Sequence, residues 1–229
     1  MSTILSIETS TEVCSVAVHR DGQLLGFSES RRQKSHSSLV VAMIDQLLSN
    51  ANVEKTELSA IAVSKGPGSY TGLRIGTSTA KGLCYALGIP LIAIDTLESM
   101  ALEASMHVVG ETYIIPMLDA RRAEVYCEVF NQDMEMIEEP KPVILDNESF
   151  GHFEKRSKLV VIGNGAAKAA ELMGERTGAI FWDHITPSAK HIGELALKSF
   201  DQKHWEDLTY FEPFYLKEFY TPKPPKSLA

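Results

Sequence analysis

A repeated pattern limits this chain more than any other feature. Residues 4–18 and 115–129 share one design. Ile4-Leu5-Ser6-Ile7 runs into Glu8, and Ile115-Pro116-Met117-Leu118 runs into Asp119. Six, eight and ten residues beyond each acid stand Cys14, Val16 and Val18 in one copy, and Val125, Cys127 and Val129 in the other. A spacing of two puts those side chains on one face of a strand. Each copy is therefore a strand, an acid-led turn and a returning strand with a buried face, and its recurrence points to a duplicated lobe.

The segments that follow extend the parallel. In the first half a third strand is predicted at 23–27 and a helix over 38–50. A strand at 61–63 leads into the glycine-rich stretch 64–76, then a helix over 73–87 with Lys81 on a polar side. A strand at 90–94 follows, and Asp95 with Glu98 three residues on has the form of a capping box opening a helix to about residue 106. In the second half Leu159-Val160-Val161-Ile162 enters Gly163-Asn164-Gly165 and a helix over 166–173. A last helix is predicted over 188–200, after Pro187. Residues 131–158 show only generic composition. Two lobes of mixed sheet and helices, each opening on an acid-tipped hairpin, describe the two-lobed actin-like ATPase fold of the α/β class. The expected division is 1–105 for the first lobe and 106–219 for the second. Residues 220–229, with three prolines, are expected to be extended or disordered.

In the stretch 64–76, Gly66, Gly68 and Gly72 permit backbone geometry that a side chain blocks, and Pro67 stiffens the turn. A loop of this kind at a helix N-terminus turns backbone N–H groups toward an anion or toward a second backbone. A tight strand-to-helix turn is the plainer reading, and both stand on sequence alone. No Gly-Lys-Ser/Thr closes the loop, so it is not a P-loop.

Composition narrows the function. The chain has 229 residues, 44% hydrophobic and 23% charged, as in a globular protein, with a formal net charge of -8. Such an acidic surface repels a phosphate backbone, which argues against autonomous nucleic-acid binding. The basic clusters at 31–34 and at Lys217, Lys223 and Lys226 read as solvated surface. Cys14, Cys84 and Cys127 are odd in number and lie among apolar neighbours, which favours buried, reduced thiols in a cytoplasmic protein. The seven histidines show no i,i+4 pair and read as satisfied core or surface residues. Glu8 interrupts the first apolar run, so the N-terminus is no signal peptide, and no run approaches the ~18 apolar residues of a membrane span. Ser10, Ser15 and Ser69 lie near the turns, but no Gly-x-Ser-x-Gly elbow is present.

Several motifs resemble the TsaB (YeaZ) family. They are residues 4–10, the block 64–76 with Lys81-Gly82-Leu83, residues 116–126, Gly163-Asn164-Gly165 and Pro213-Phe214-Tyr215-Leu216. The resemblance spans nearly the whole chain in order. It implies a part in forming N6-threonylcarbamoyladenosine at position 37 of tRNAs that read codons beginning with A. In that family the transferase is the paralogue TsaD, the ATPase TsaE is a third component, and tRNA is engaged only through the complex. In TsaD the strand after the glycine-loop helix ends in Asn-His-Leu-Glu-Gly-His, whose histidines bind metal. This chain has Asp95-Thr96-Leu97-Glu98-Ser99-Met100 there, and neither Thr96 nor Met100 replaces an imidazole, so no metal is expected.

The turns that would hold ATP contain no glycine, and Glu12 adds a carboxylate to the first. A residual nucleotide site is thus confined to Glu8, Thr9, Ser10, Asp119, Gly163 and Gly165, with weak ATP or ADP binding at the partner junction left open and no intrinsic cofactor. Arg121 and Arg122 suit an anion, or pairing with Glu124 or Glu12. The expected role is a catalytically silent partner; an actin-like ATPase or small-molecule kinase, or a glycoprotease-like peptidase, is the alternative. The expected partner surface is Leu39, Met43 and Leu47 of one helix with Gly72, Leu73, Gly76, Ala80 and Leu83 of the next, serving a homodimer when the partner is absent. The small row at 72, 76 and 80 also suits packing against the lobe's own sheet.

Overall fold

A computed structural model describes residues 1–31, 36–153, 158–173 and 178–217. The first hairpin is β1 (Thr3–Glu8) and β2 (Cys14–Arg20), followed by β3 (Gln23–Ser30) and helix α1 (His36–Asn50). Then come β4 (Ala60–Gly66), α2 (Tyr70–Leu87), β5 (Leu91–Asp95) and α3 (Thr96–Ser105). The second half has β6 (Thr112–Asp119), β7 (Glu124–Asn131), β8 (Met136–Ile144), β9 (Lys158–Ile162), α4 (Ala166–Met173), β10 (Ile180–Trp182) and α5 (Ala189–Asp201). The two sheets run β3-β2-β1-β4-β5 and β8-β7-β6-β9-β10. In each, the first three strands are antiparallel and the last two join in parallel, so the copies agree strand for strand. The duplication therefore extends through the whole sheet, beyond the hairpin in which it is written.

Local chemistry sets the ends. Helix α2 begins at Tyr70 rather than 73, because the Ser69 hydroxyl accepts from the Gly72 N–H at 3.3 Å and caps the helix. It stops at Gly88, whose φ of 66° suits a left-handed helix end. Asp95 caps α3, accepting from the N–H groups of Leu97 and Glu98 at 2.8 and 3.4 Å. Two strands have no counterpart in the sequence reading. Edge strand β8 carries Pro140 and Pro142 and alternates only weakly, and β10 has three residues.

The helices do not follow the division at 105/106. Leu97, Met100, Ala101 and Ala104 of α3 share a core with Ile114, Leu118, Phe130, Val160 and Ile162 of the second sheet. Ile192 and Ala196 of α5 share one with Ile4, Ala60, Ala62, Ile92 and Ile94 of the first. Each sheet is thus covered on one side by the helix that follows the other. Residues beyond α5 also return to the first lobe. The Glu206 N–H donates to the Leu91 carbonyl at 2.9 Å and the Phe214 N–H to that of Lys65 at 2.7 Å. Leu208 and Phe211 pack on the first core. The boundary separates the sheets in sequence, but residues 189–215 belong spatially to the first lobe. The expectation for 220–229 lies outside the described residues.

Candidate functional site

The first hairpin turn is closed from within. Glu8, Thr9 and Ser10 are all buried, Glu8 completely. Glu8 accepts a hydrogen bond from the Ser10 N–H, with the Ser10 and Ser64 hydroxyls beside it. Burial nevertheless dominates and pushes its pKa to about 7. Helix α2 sits directly on this turn. The Thr9 hydroxyl donates to the Gly72 carbonyl at 2.8 Å, and the Ser69 N–H to the Ser10 carbonyl at 2.6 Å. A Cβ at Gly68 would lie 2.5 Å from the Ser10 carbonyl oxygen, and one at Gly72 or Gly76 would overlap the Thr9 carbonyl oxygen or hydroxyl. The glycine stretch is a tight strand-to-helix turn between β4 and α2, and it brings a second backbone, that of Thr9 and Ser10, into close approach.

That packing corrects the expected partner surface. Gly72, Leu73, Gly76 and Ala80 lie in the interior of the first lobe, and Leu47 is buried on the inner face of α1 with its tip against Gly26 of β3. The row of small residues lets α2 press onto the hairpin and sheet of its own lobe. Leu39, Met43 and Leu83 remain half-buried at the surface. The outward faces of α1 and α2 also present Val41, Ser78, Gly82 and Tyr85, with Tyr85 84% exposed and open space where Gly82 would carry a side chain. Ile75 and Leu83 pack on the core that α1 also joins.

The second turn is more open but equally engaged. Partial burial opposes ionisation of Asp119, yet the Lys168 ammonium at 2.6 Å and the Arg121 N–H at 2.6 Å hold its pKa below the usual carboxylate value. The Asp119 N–H donates to Asn164 Oδ1 at 2.8 Å. The Gly163 and Gly165 N–H groups donate to the carbonyls of Trp182 and Met117 at 3.0 and 3.1 Å. A Cβ at Gly165 would stand 2.8 Å from that of Met117, so this loop too exists for close packing. Between the turns is a cleft of about 250 Å³, its lining including Thr11, Glu12, Arg31, Leu118, Asn164 and Pro187. The six residues expected to hold nucleotide are not in its lining. The Thr9 hydroxyl and the N–H groups of Ser10, Asp119, Gly163 and Gly165 are engaged within the protein, and the cleft wall carries the Glu12 carboxylate instead. Arg31 is paired with Glu29 at 2.8 Å.

Thr96 and Met100, at the positions of the metal-binding histidines in the paralogue, are fully buried, and Met100 packs in the α3 core. The three cysteines are buried thiols, and burial pushes them up to about 11 for Cys14 and Cys84 and about 12 for Cys127.

One buried acid escaped the sequence reading, and one histidine departs from it. Glu128 of β7 is 1% exposed with neither carboxylate oxygen hydrogen-bonded. Burial, then the charges of Asp95 and Glu98, drive its pKa upward; Asp95 is raised by burial against the pull of Lys65. The signal was present in β7: Tyr126, Glu128 and Phe130 form the face opposite Val125, Cys127 and Val129, and that face is covered as well. His19 is 2% exposed with both ring nitrogens unbonded, which corrects its reading as a satisfied histidine. Burial lowers its pKa, with Glu194 opposing and His191 adding to the effect.

Two matched mixed sheets, exchanged covering helices and an acid-led turn on either side of a cleft define a two-lobed protein of the actin-like ATPase fold. A family model described as "TsaD: tRNA N6-adenosine threonylcarbamoyltransferase" matches residues 23–217. The tRNA threonylcarbamoyladenosine biosynthesis protein TsaB of Escherichia coli K12 is 30% identical over 220 residues, covering 93% of this chain and 94% of that protein. Its namesake from Haemophilus influenzae is 31% identical over 227 residues, covering 94% and 93%. The solved structure of YeaZ from Pseudomonas aeruginosa superposes with a TM-score of 0.78 at 28% identity, over 94% of this chain and all of that one. The chain belongs to the TsaB family, within the wider group that the TsaD model describes.

Proposed function

We propose that this chain is the non-catalytic partner of a TsaD-like threonylcarbamoyltransferase in forming N6-threonylcarbamoyladenosine at position 37 of tRNA in the cytoplasm. A TsaE-like ATPase joins through the complex, and tRNA is engaged only there. The observation that carries the silent role is the state of the two turns: the Ser69 N–H and the Thr9 hydroxyl tie α2 to the first, while the Gly165 N–H on Met117 and Lys168 on Asp119 tie α4 and its loop to the second. Phosphate transfer needs such donors free and aimed at the ligand. The partner surface is the outward face of α1 and α2, where half-buried Leu39, Met43, Ile75 and Leu83 border the small residues Ser78 and Gly82. An apolar, low-relief helix pair suits another helix pair, either of the transferase or of a second copy of this chain, and the two assemblies compete for it.

Co-expression with the transferase homologue of the same organism tests this. Sizing should show a heteromeric complex, and the modified nucleoside should appear in tRNA only when both chains are present. ATP turnover or peptide cleavage by the pure chain at an appreciable kcat would replace this reading with an enzymatic one.

A further inference from the structure

Five arginines lie among the described residues, and they divide into two kinds. Arg20 pairs with Glu57 at 3.0 Å and Arg31 with Glu29 at 2.8 Å. Arg74, Arg121 and Arg122 have no carboxylate partner among the described residues, and all three are exposed. In a chain of net charge -8, uncompensated guanidinium groups are a local exception.

Arg74 stands on the flank of α2 that faces the C-terminal segment, where Lys81 two turns on donates to the carbonyls of Thr209 and Phe211. Its guanidinium carbon lies 4.1 Å over the ring of Tyr70. Its Nε donates to the Tyr215 hydroxyl at 3.4 Å, and a terminal nitrogen donates to that of Tyr70. The Tyr70 and Tyr215 rings are 4.5 Å apart, centre to centre, tilted by 31°. Two residues on, Lys217 pairs with Glu124 at the foot of the second-lobe turn. Lys217 and Arg121 both bear on Tyr126 there. One flank thus runs from the start of α2, across the C-terminal segment, to the turn that carries Arg121 and Arg122.

We infer that this flank, Tyr70, Arg74, Tyr215, Arg121 and Arg122, receives an unpaired loop of tRNA in the assembled complex. The two phenol rings offer aromatic surface to bases, the remaining terminal nitrogen of Arg74 gives one donor beside them, and Arg121 and Arg122 supply forked donors to phosphates. Unpaired RNA presents both, whereas a duplex hides its bases from such a platform. Few cations are involved, so the flank adds to binding in the complex and does not hold tRNA alone at physiological salt. The inference rests on the proposed tRNA-modifying role.

The test is an anisotropy titration of labelled tRNA against the complex assembled with the transferase and ATPase homologues, at several salt concentrations. Arg74→Ala, and separately the double change Arg121→Ala with Arg122→Ala, should weaken binding by about 5- to 10-fold with assembly intact. The slope of log affinity against log salt should fall by about one for the first and up to about two for the second. Arg74→Lys should restore the slope but only part of the affinity, since an ammonium does not reproduce the planar fork. Affinity and slope unchanged in both variants would overturn the inference. So would a loss confined to melting temperature, which would make Arg74 a mere pin for the C-terminal segment. Weakened assembly in place of weakened tRNA binding would make the flank a protein contact. A wild-type chain that forms no complex sinks the proposed role itself; intact assembly with indifferent variants sinks only this inference.

Discussion

Glu8 and Asp119 occupy matching places in a repeated hairpin, and their environments are opposite. Asp119 ends its strand in solvent beside Lys168, whereas Glu8 is sealed beneath α2. The repeat made their positions legible in sequence; burial was not, because it depends on how closely α2 approaches the turn. The consequence is a specific pH dependence. Burial raises the Glu8 pKa from 4.5 to about 7, so the folded chain holds a proton that the unfolded chain releases earlier. The stability contributed by the neutral carboxyl is complete below the unfolded value and is lost as pH rises through the folded one, a change on the order of 3 kcal/mol. In Glu8→Gln that dependence should disappear. Denaturant unfolding between about pH 4 and pH 8 checks it: the variant should gain on the wild type as pH rises, and parallel curves would place the carboxylate in a better-solvated site. His19 works at the other end of the scale. Its depressed pKa contributes stability at neutral pH that is lost as pH falls below the ordinary imidazole value.

Helix α2 shows where reading by element succeeds and where it stops. Its existence, its glycine loop and its row of small residues followed from sequence, but not which side of the helix the row faced. Gly72, Gly76 and Ala80 have the spacing of a partner-docking stripe, and that spacing is the same when the partner is the lobe's own hairpin. Strands β8 and β10 were illegible for another reason. An edge strand buries little, so Met136–Ile144 carries charges and prolines where a central strand carries an apolar alternation. Two of the three helical glycines of α2 separate inward from outward faces by experiment. Gly82→Ala meets open space and should stabilise the chain by about 0.5–1 kcal/mol. Gly72→Ala drives a methyl group into the backbone carbonyl of Thr9 and should cost more than about 2 kcal/mol, since neither backbone can yield. Thermal unfolding of the two variants should give melting temperatures on opposite sides of the wild type. Gly82→Arg should keep the fold by circular dichroism and lose association with the transferase homologue in sizing; retained association would move the partner surface off α2.

At the scale of the whole molecule, the exchange of helices decides how the two lobes depend on each other. The repeat suggests two units that could stand alone, and the sheets match that suggestion strand for strand. Their covers do not. Removing residues 106–229 would strip α5 from Ile4, Ala60, Ala62, Ile92 and Ile94 and leave Leu97, Met100, Ala101 and Ala104 of α3 without the second sheet. It would also remove Leu208 and Phe211 from the first core and both carbonyl acceptors that hold Lys81, those of Thr209 and Phe211. Each buried aliphatic side chain contributes about 1.5–3 kcal/mol, so exposing these two faces outweighs the net stability of a typical domain, about 5–15 kcal/mol. The chain should therefore unfold in a single transition, with tryptophan fluorescence from Trp182 and Trp205 coinciding with far-ultraviolet circular dichroism. A fragment of residues 1–105 should fail to fold, showing no cooperative melting and binding a hydrophobic dye. Adding residues 106–229 as a separate chain should restore a cooperative transition if the exchanged helices supply the missing cover. Independent melting of the 1–105 fragment near the temperature of the full chain would show that the first sheet closes without α5, and that the exchanged helices merely dock on a finished lobe.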